Sequence, residues 1–221
     1  MRAEDVRRAL GGASDLVDIQ GGGVGGEHGA VLHHLVEFAE DVTLVADVLH
    51  SAGKNIELIP LIESQAGVRN AAQIAAASPM VSALFLGAVD YSGELGSDMG
   101  WDALYRARAM LVEACSECRI DCIDGPWLDV DDMAGLRSEL PRLARMGMTG
   151  KASYEPAQLP AIHAAFTPSE DEIDYAQRVI QAVQTSPTGG AKVDGKSVNK
   201  ANAKGAERVL ERARMRGVFT G

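Results

Sequence analysis

The chain contains no run of about eighteen apolar residues, which excludes a helical membrane span. Its opening stretch, MRAEDVRRALGGASD, carries arginines but no long apolar core, so a secretory signal is not expected there. Cysteine is scarce. Three thiols, an odd number, are too few for a disulfide scaffold and point to a reducing compartment, with the cytoplasm as the expected location. Positive charge is also short, with 21 Lys and Arg against 31 Asp and Glu. The resulting net charge of −10 argues against a nucleic-acid partner. No internal repeat or low-complexity tract is present. What remains is ordinary: 46 % hydrophobic and 24 % charged residues, a globular balance that excludes wholesale disorder. The 221 residues suffice for one domain or two small ones.

The charge is uneven. From Thr185 onward, Lys192, Lys196, Lys200, Lys204, Arg208, Arg212, Arg214 and Arg216 face only Asp194, Glu207 and Glu211, so this tail is basic and the rest strongly acidic. Segment 185–199, TSPTGGAKVDGKSVN, reads as a flexible arm, followed by a helix over about 201–216 anchored by Val209 and Leu210. The tail is either a solvated terminal helix or a lid that meets an anionic ligand or an acidic neighbouring subunit.

Short apolar runs predict strands at 15–20, 56–62, 82–86, 119–123 and 148–154. Helices are expected over about 28–52, 66–77, 101–117, 131–145, 157–165 and 169–184. The last of these opens on a capping box, Ser169 with Glu172. Strand then helix, five times over, implies an α/β protein with parallel strands, either a TIM barrel or a doubly wound sheet.

Two acids stand where such proteins keep their chemistry. Glu63 ends the strand IELIPLIE, and Asp90 follows SALFLGAV one strand–helix–strand unit later. Both carboxylates should emerge side by side at the C-terminal edge of the sheet. Two carboxylates with open positions make a hard-oxygen site suited to Mg²⁺ rather than Zn²⁺. Such a metal can chelate an α-keto acid and stabilise an enolate. The alternative is that each acid caps the helix that follows it.

A competing motif lies upstream. Gly21-Gly22-Gly23-Val24-Gly25-Gly26 matches G-x-G-x-x-G between a predicted strand and a predicted helix. TLVAD would be the next strand, placing Asp47 as a ribose-binding acid in an NAD site. The alternative is a plain glycine loop. Other residues suggest packing. His28, His33 and His34 share a predicted helix at spacing poor for metal ligands. Cys115 and Cys118 lack a second pair for zinc and, with Cys122, read as small apolar residues. Trp101 and Trp127 read as packing residues and Arg106 and Arg108 as salt-bridge partners, while Lys151, in the last predicted strand, is not expected to act as a base.

Five consecutive stretches carry a resemblance: IELIPLIESQAGVRNAAQIAAASP, ALFLGAVDYSGELG, IDCIDGPWLDVDDMAGLRSEL, MGMTGKASYEPAQLPAIHAAFTPSEDEIDYAQRVI and the glycine-rich GGAKVDGKSVN before the last helix. From about Ile56 to Arg216 the chain resembles the citrate lyase β-subunit and malyl-CoA lyase family of the HpcH/HpaI aldolase superfamily. The resemblance implies a TIM (β/α)8-barrel-like fold, shortened at its N-terminus to about five βα units. Residues 1–184 would form the partial barrel and 185–221 a flexible lid with the terminal helix. It further implies Mg²⁺ held by Glu63 and Asp90, with the backbone of Gly87, Ala88 and Val89 holding keto-acid oxygens. The implied reaction is aldol- or Claisen-type cleavage of a hydroxyacyl-CoA, such as citramalyl-, malyl- or citryl-CoA, through a metal-stabilised enolate. CoA then belongs to the substrate, and a homo-oligomer, trimer or hexamer, is expected.

The sequence departs from the family pattern at several points. Val89 replaces the glutamate of G-A-E-D, and Glu155 replaces the histidine of I-H-P. Asn199 stands at the lid position usually held by aspartate, where an amide can position a substrate but cannot transfer a proton. The acidic pair and the substrate-gripping arginine of the family's first strands are absent. Five strands cannot close such a barrel, and about 250 residues is typical of one. A binding homologue without turnover is therefore a second expectation.

Overall fold

The computed structural model describes residues 16–19, 30–33, 35–54 and 56–221. They fall into two compact units, one ending at Leu159 and one running Pro160–Gly221.

The first unit is an α/β layer. In chain order it comprises β1 (Leu16–Ile19), β2 (Ala30–His33), α1 (Ala39–Ser51), β3 (Glu57–Ile62), α2 (Gln65–Arg69) and α3 (Ala71–Ala75). It continues with β4 (Ala83–Leu86), α4 (Ala88–Leu95), α5 (Trp101–Cys118), β5 (Asp121–Asp124), α6 (Met133–Met146) and β6 (Gly150–Lys151). A 3-10 turn, Pro156–Gln158, leads into α7 (Leu159–Phe166), which crosses the unit boundary. Strands β1 to β6 form one sheet in sequence order. Among the described residues β1 and β6 are its edges, and no pairing closes it into a barrel.

Pairing from β2 through β6 is parallel, as alternating strands and helices require. The strand at 15–20 is not the first of these, however. It pairs antiparallel with β2, a strand absent from the sequence-based expectation, which placed Ala30–His33 inside a helix over 28–52. The run AVLH is too short for periodicity to separate strand from helix, and pairing alongside Glu57–Pro60 decides it. Helix α1 starts only at Ala39, after the Asp41 carboxylate accepts the amides of Glu37 and Phe38 at 3.0 and 2.9 Å.

This removes the context of the nucleotide motif. Gly21–Gly26 lies outside the described residues; the described strands on either side of it, β1 and β2, pair antiparallel. Thr43–Asp47, the expected next strand, lies within α1. His33 ends a strand, not a helix face, while His28 and His34 lie outside the described residues.

Register sorts the sheet into two faces. Leu58, Ile62, Leu84, Leu86 and Cys122 point toward the helices and are almost fully buried. Leu104 and Leu111 of α5, which packs against β4 and β5, and Leu136, Leu140 and Leu143 of α6 are likewise buried, each exposed by 2 % or less. Ile59, Phe85 and Ile123 share the other face and are only half-buried. Cys122 lies 3.3 Å from the Met148 sulfur. Hydrogen bonding with Cys115, then burial, drives its thiol far above the ordinary range. A thiol held protonated is a packing group and not a nucleophile, as expected for these cysteines.

The second unit comprises α8 (Glu170–Thr185), β7 (Gly190–Val193), β8 (Lys196–Asn199) and α9 (Lys200–Met215). Ser169 caps α8 with Glu172 as expected. The expected flexible arm is instead a hairpin. β7 and β8 pair antiparallel across an Asp194–Gly195 turn in which both residues have positive φ, 48° and 77°. Val193 and Val198 are buried with Ile173, Val179, Val183 and Leu210. The polar composition of the segment hides these two inward positions, and burial of the valines outweighs the flexibility of the glycines. Arg178 clamps the turn through both Asp194 oxygens and holds that carboxyl below its usual range. No helix among the described residues is long and apolar enough to cross a membrane.

Candidate active site

Glu63 follows β3 directly and continues the row of Ile59 and Leu61 at the C-terminal edge of the sheet. It is 7 % exposed. Its Oε1 accepts the Leu35 amide at 2.9 Å, which orients the carboxylate from the neighbouring strand's exit loop. Glycine at position 87 then allows a close approach. The Gly87 amide donates to the Ile62 carbonyl at 2.9 Å, and a Cβ there would lie 2.4 Å from Glu63 Cβ and 2.9 Å from its Oε2. The backbone after β4 therefore lies directly on Glu63.

Helix α4 starts one residue later. Sequence reading leaves Asp90 in a loop, but it occupies the first turn of this helix, with its side chain exposed. Gly87 is the N-cap, and its carbonyl accepts the Tyr91 amide at 3.1 Å. The first amides of a helix, here those of Ala88, Val89 and Asp90, have no intrahelical carbonyl to bond and carry partial positive charge. Helix-terminal amides and a carboxylate thus share one short segment set against Glu63. Among the described residues no three His, Cys, Asp or Glu side chains form a metal cluster. Two carboxylates and open coordination positions remain, a donor set that suits Mg²⁺, which keeps waters and binds through one or two carboxylates plus substrate oxygens.

A second polar group underlies the edge of β5 and β6. Asp124 ends β5 and is fully buried. It accepts Arg108 Nε at 2.8 Å, Arg108 Nη2 at 3.0 Å and Lys151 Nζ at 2.6 Å. Glu139 of α6 meets the same two cations, Arg108 at 3.3 Å and Lys151 at 3.1 Å. Arg108 is the salt-bridge partner expected of it. Lys151 differs from expectation: β6 is only two residues long, and Lys151 ends it in register with Asp124, facing the helices. Adjacent strands ending in opposite charges, RIDCID and GMTGK, are the signal that could have revealed the pair. Trp101 packs beneath the cluster, with Arg142 3.7 Å and Arg108 5.0 Å from its ring centroid.

Gln158 is a further buried polar residue that motif reading misses. Its Oε1 accepts the Tyr154 amide at 3.0 Å and its Nε2 donates to the Trp127 carbonyl at 2.9 Å. The loops after β5 and β6 are thereby stapled together. Glu155, at the position of the family histidine, caps the 3-10 turn. Asn199 is the N-cap of α9, its side-chain oxygen accepting the amides of Ala201 and Asn202 at 2.9 and 3.3 Å.

The family model for HpcH/HpaI aldolase/citrate lyase matches residues 13–156, and the chain belongs to that family. It is 32 % identical over 184 residues to L-malyl-CoA/beta-methylmalyl-CoA lyase of Rhodobacter capsulatus, covering 73 % of this chain and 58 % of the relative. It is 30 % identical over 167 residues to citrate lyase subunit beta of Escherichia coli K12, covering 73 % and 55 %. The match spans little more than half of either relative's length. Among solved structures it resembles CitE of Mycobacterium tuberculosis in complex with magnesium, acetoacetate and coenzyme A, with TM-score 0.66 and 27 % identity over 83 % of this chain and 68 % of that one. The parallel sheet is thus of the TIM-barrel-like kind found in these proteins.

Proposed function

We propose that the chain supplies the metal-binding part of a Mg²⁺-dependent carbon–carbon lyase acting on a hydroxyacyl-CoA such as malyl-, citramalyl- or citryl-CoA. The observation that carries this reading is the buried Glu63 carboxylate lying under the Gly87 turn, with Asp90 in the helical turn that follows. Glu63 and Asp90 hold the metal. Bound Mg²⁺ supplies a positive charge that polarises a substrate carbonyl and offsets charge developing on its oxygen. The chain's own part is orientation. The amides of Ala88 and Val89 take substrate carboxylate oxygens, and the Leu35 amide fixes the Glu63 rotamer so that little order is lost on binding. The partial barrel lies within the unit ending at Leu159, and the chain acts in a homo-oligomer.

Two relatives named as lyases and a neighbour solved with magnesium and coenzyme A support this reading. The capping role of Asn199 favours a second one, a homologue that binds without turnover, because its side-chain oxygen is engaged by α9. A coupled assay for acetyl-CoA release from malyl-CoA and citramalyl-CoA in Mg²⁺ separates them. The expected result is Mg²⁺-dependent turnover that rises in Asn199→Asp, an N-cap that still accepts both amides. Keto-acid binding with no turnover in either protein would establish the second reading.

A further inference from the structure

The Arg108–Asp124–Lys151–Glu139 group stands apart from the carboxylates proposed to hold the metal, yet it leads to them through direct contacts. Four charges sit together, two of each sign, with Arg108, Asp124 and Lys151 buried and Glu139 partly exposed, and both cations touch both anions. Such a group is a weak source of stability, since well-packed apolar residues often replace one at no loss. What it does provide is fixed geometry at the end of β5. Asp124 is held by its side chain at three points and by its carbonyl, which accepts the Ala152 amide at 2.9 Å.

The next residue is Gly125, the second site of close approach. A Cβ on it would lie 2.7 Å from Ala88 Cβ and 3.1 Å from the Leu86 carbonyl oxygen. Gly125 therefore rests directly on the first residue of α4, between the end of β4 and the turn that carries Asp90. On the other side of that turn, Gly87 rests on Glu63. The turn bearing one carboxylate is gripped between the other carboxylate and the residue that Asp124 anchors.

We propose that Asp124 is a positioning residue for the Glu63–Asp90 site, acting through Gly125 on Ala88. The charge cluster sets where β5 ends, Gly125 transmits that position, and the first turn of α4 is held at the separation from Glu63 that a shared ligand needs. The proposal builds on the metal reading above, but its test does not depend on it. The Gly87 amide donates to Ile62 and the Tyr91 amide to Gly87, so their hydrogen exchange in metal-free protein reports how firmly the turn is held.

Three variants decide the matter. Asp124→Asn combined with Lys151→Met removes one charge of each sign and leaves Arg108 paired with Glu139, keeping the cluster neutral. Gly125→Ala disturbs the link and leaves the charges alone. Glu139→Gln disturbs the charges from α6, at a residue outside the Asp124–Gly125–Ala88 path. The first two are expected to speed Gly87 and Tyr91 exchange, and to weaken Mg²⁺ binding, by at least about tenfold, the usual scale for loss of a residue that orients a metal ligand. Glu139→Gln is expected to lower the melting temperature without that selective effect. Wild-type exchange rates in the double variant, or equal acceleration in Glu139→Gln, would overturn the proposal. If the wild-type protein binds no Mg²⁺, the metal reading fails, and the exchange rates still decide whether Asp124 positions the turn.

Discussion

Gly87→Ala is expected to weaken Mg²⁺ binding about a hundredfold, the upper end of the range for residues that orient a metal ligand. The added methyl would meet Glu63 Cβ at 2.4 Å, Glu63 Oε2 at 2.9 Å and Glu63 Cα at 3.3 Å. The backbone of Glu63 cannot yield, because it follows the paired strand β3, and its carboxylate is held by the Leu35 amide. Relief must come from moving the α4 turn, which carries Asp90, or from rotating the carboxylate off Leu35. Either movement separates the two acids. The cost in stability should be that of overpacking, about 1–3 kcal/mol, small enough for the variant to fold. Gly93→Ala, in the same helix but with nothing within 4 Å of its added Cβ, serves as the control. It should bind Mg²⁺ normally and gain roughly 1 kcal/mol from helix propensity. Calorimetric titration of both variants checks the pair, and normal binding by Gly87→Ala would show that the turn does not set the site.

Arg108→Leu is expected to have the largest effect on stability, about 3–5 kcal/mol, because removing one partner of a buried group strands its counter-charge. Arg108 is 2 % exposed and Asp124 0 %, so water cannot replace the lost guanidinium. The remaining Lys151 would then face two carboxylates. Arg178 provides the contrast. Its ion pairs with Asp174 and Asp194 are solvent-exposed, and Arg178→Leu should leave stability almost unchanged. Guanidinium unfolding curves separate the two. A loss below about 1 kcal/mol for Arg108→Leu would mean that water reaches the cluster and that its geometry is not fixed by burial.

The parts of this molecule legible from sequence are those governed by local rules. The capping box at Ser169 and the amphipathic runs of α5, α6, α8 and α9 lie within two residues of where periodicity places them. Glu63 was legible because an acid closing an apolar strand has one place to go in a parallel sheet. Asp90 was placed at the right edge but in the wrong element, since GAVDYSGELG has glycines at both ends and a glycine within, which mask an eight-residue helix. Non-local features were hidden. Ala30–His33 is a strand because β3 lies beside it, and nothing within four residues encodes that. The hairpin at 190–199 depends on two valines finding the core of α8 and α9, against a composition that favours a loose arm. Gly87 and Gly125 look like ordinary loop glycines until the backbones they admit are seen. Gln158 and the Asp124 cluster likewise acquire meaning only from partners 12 to 31 residues away.

Glu63 and Asp90 together are proposed to hold a divalent metal to which a keto acid binds. Isothermal titration of pyruvate and of oxaloacetate, with and without Mg²⁺, tests it on the wild-type chain, Glu63→Gln and Asp90→Asn. Glu63→Gln keeps an oxygen to accept the Leu35 amide and so preserves the fold while removing the charge. Keto-acid binding is expected to require Mg²⁺ in the wild-type chain and to be lost in each variant, with unfolding curves unchanged. Keto-acid binding that persists without Mg²⁺, or that survives in both variants, would contradict it.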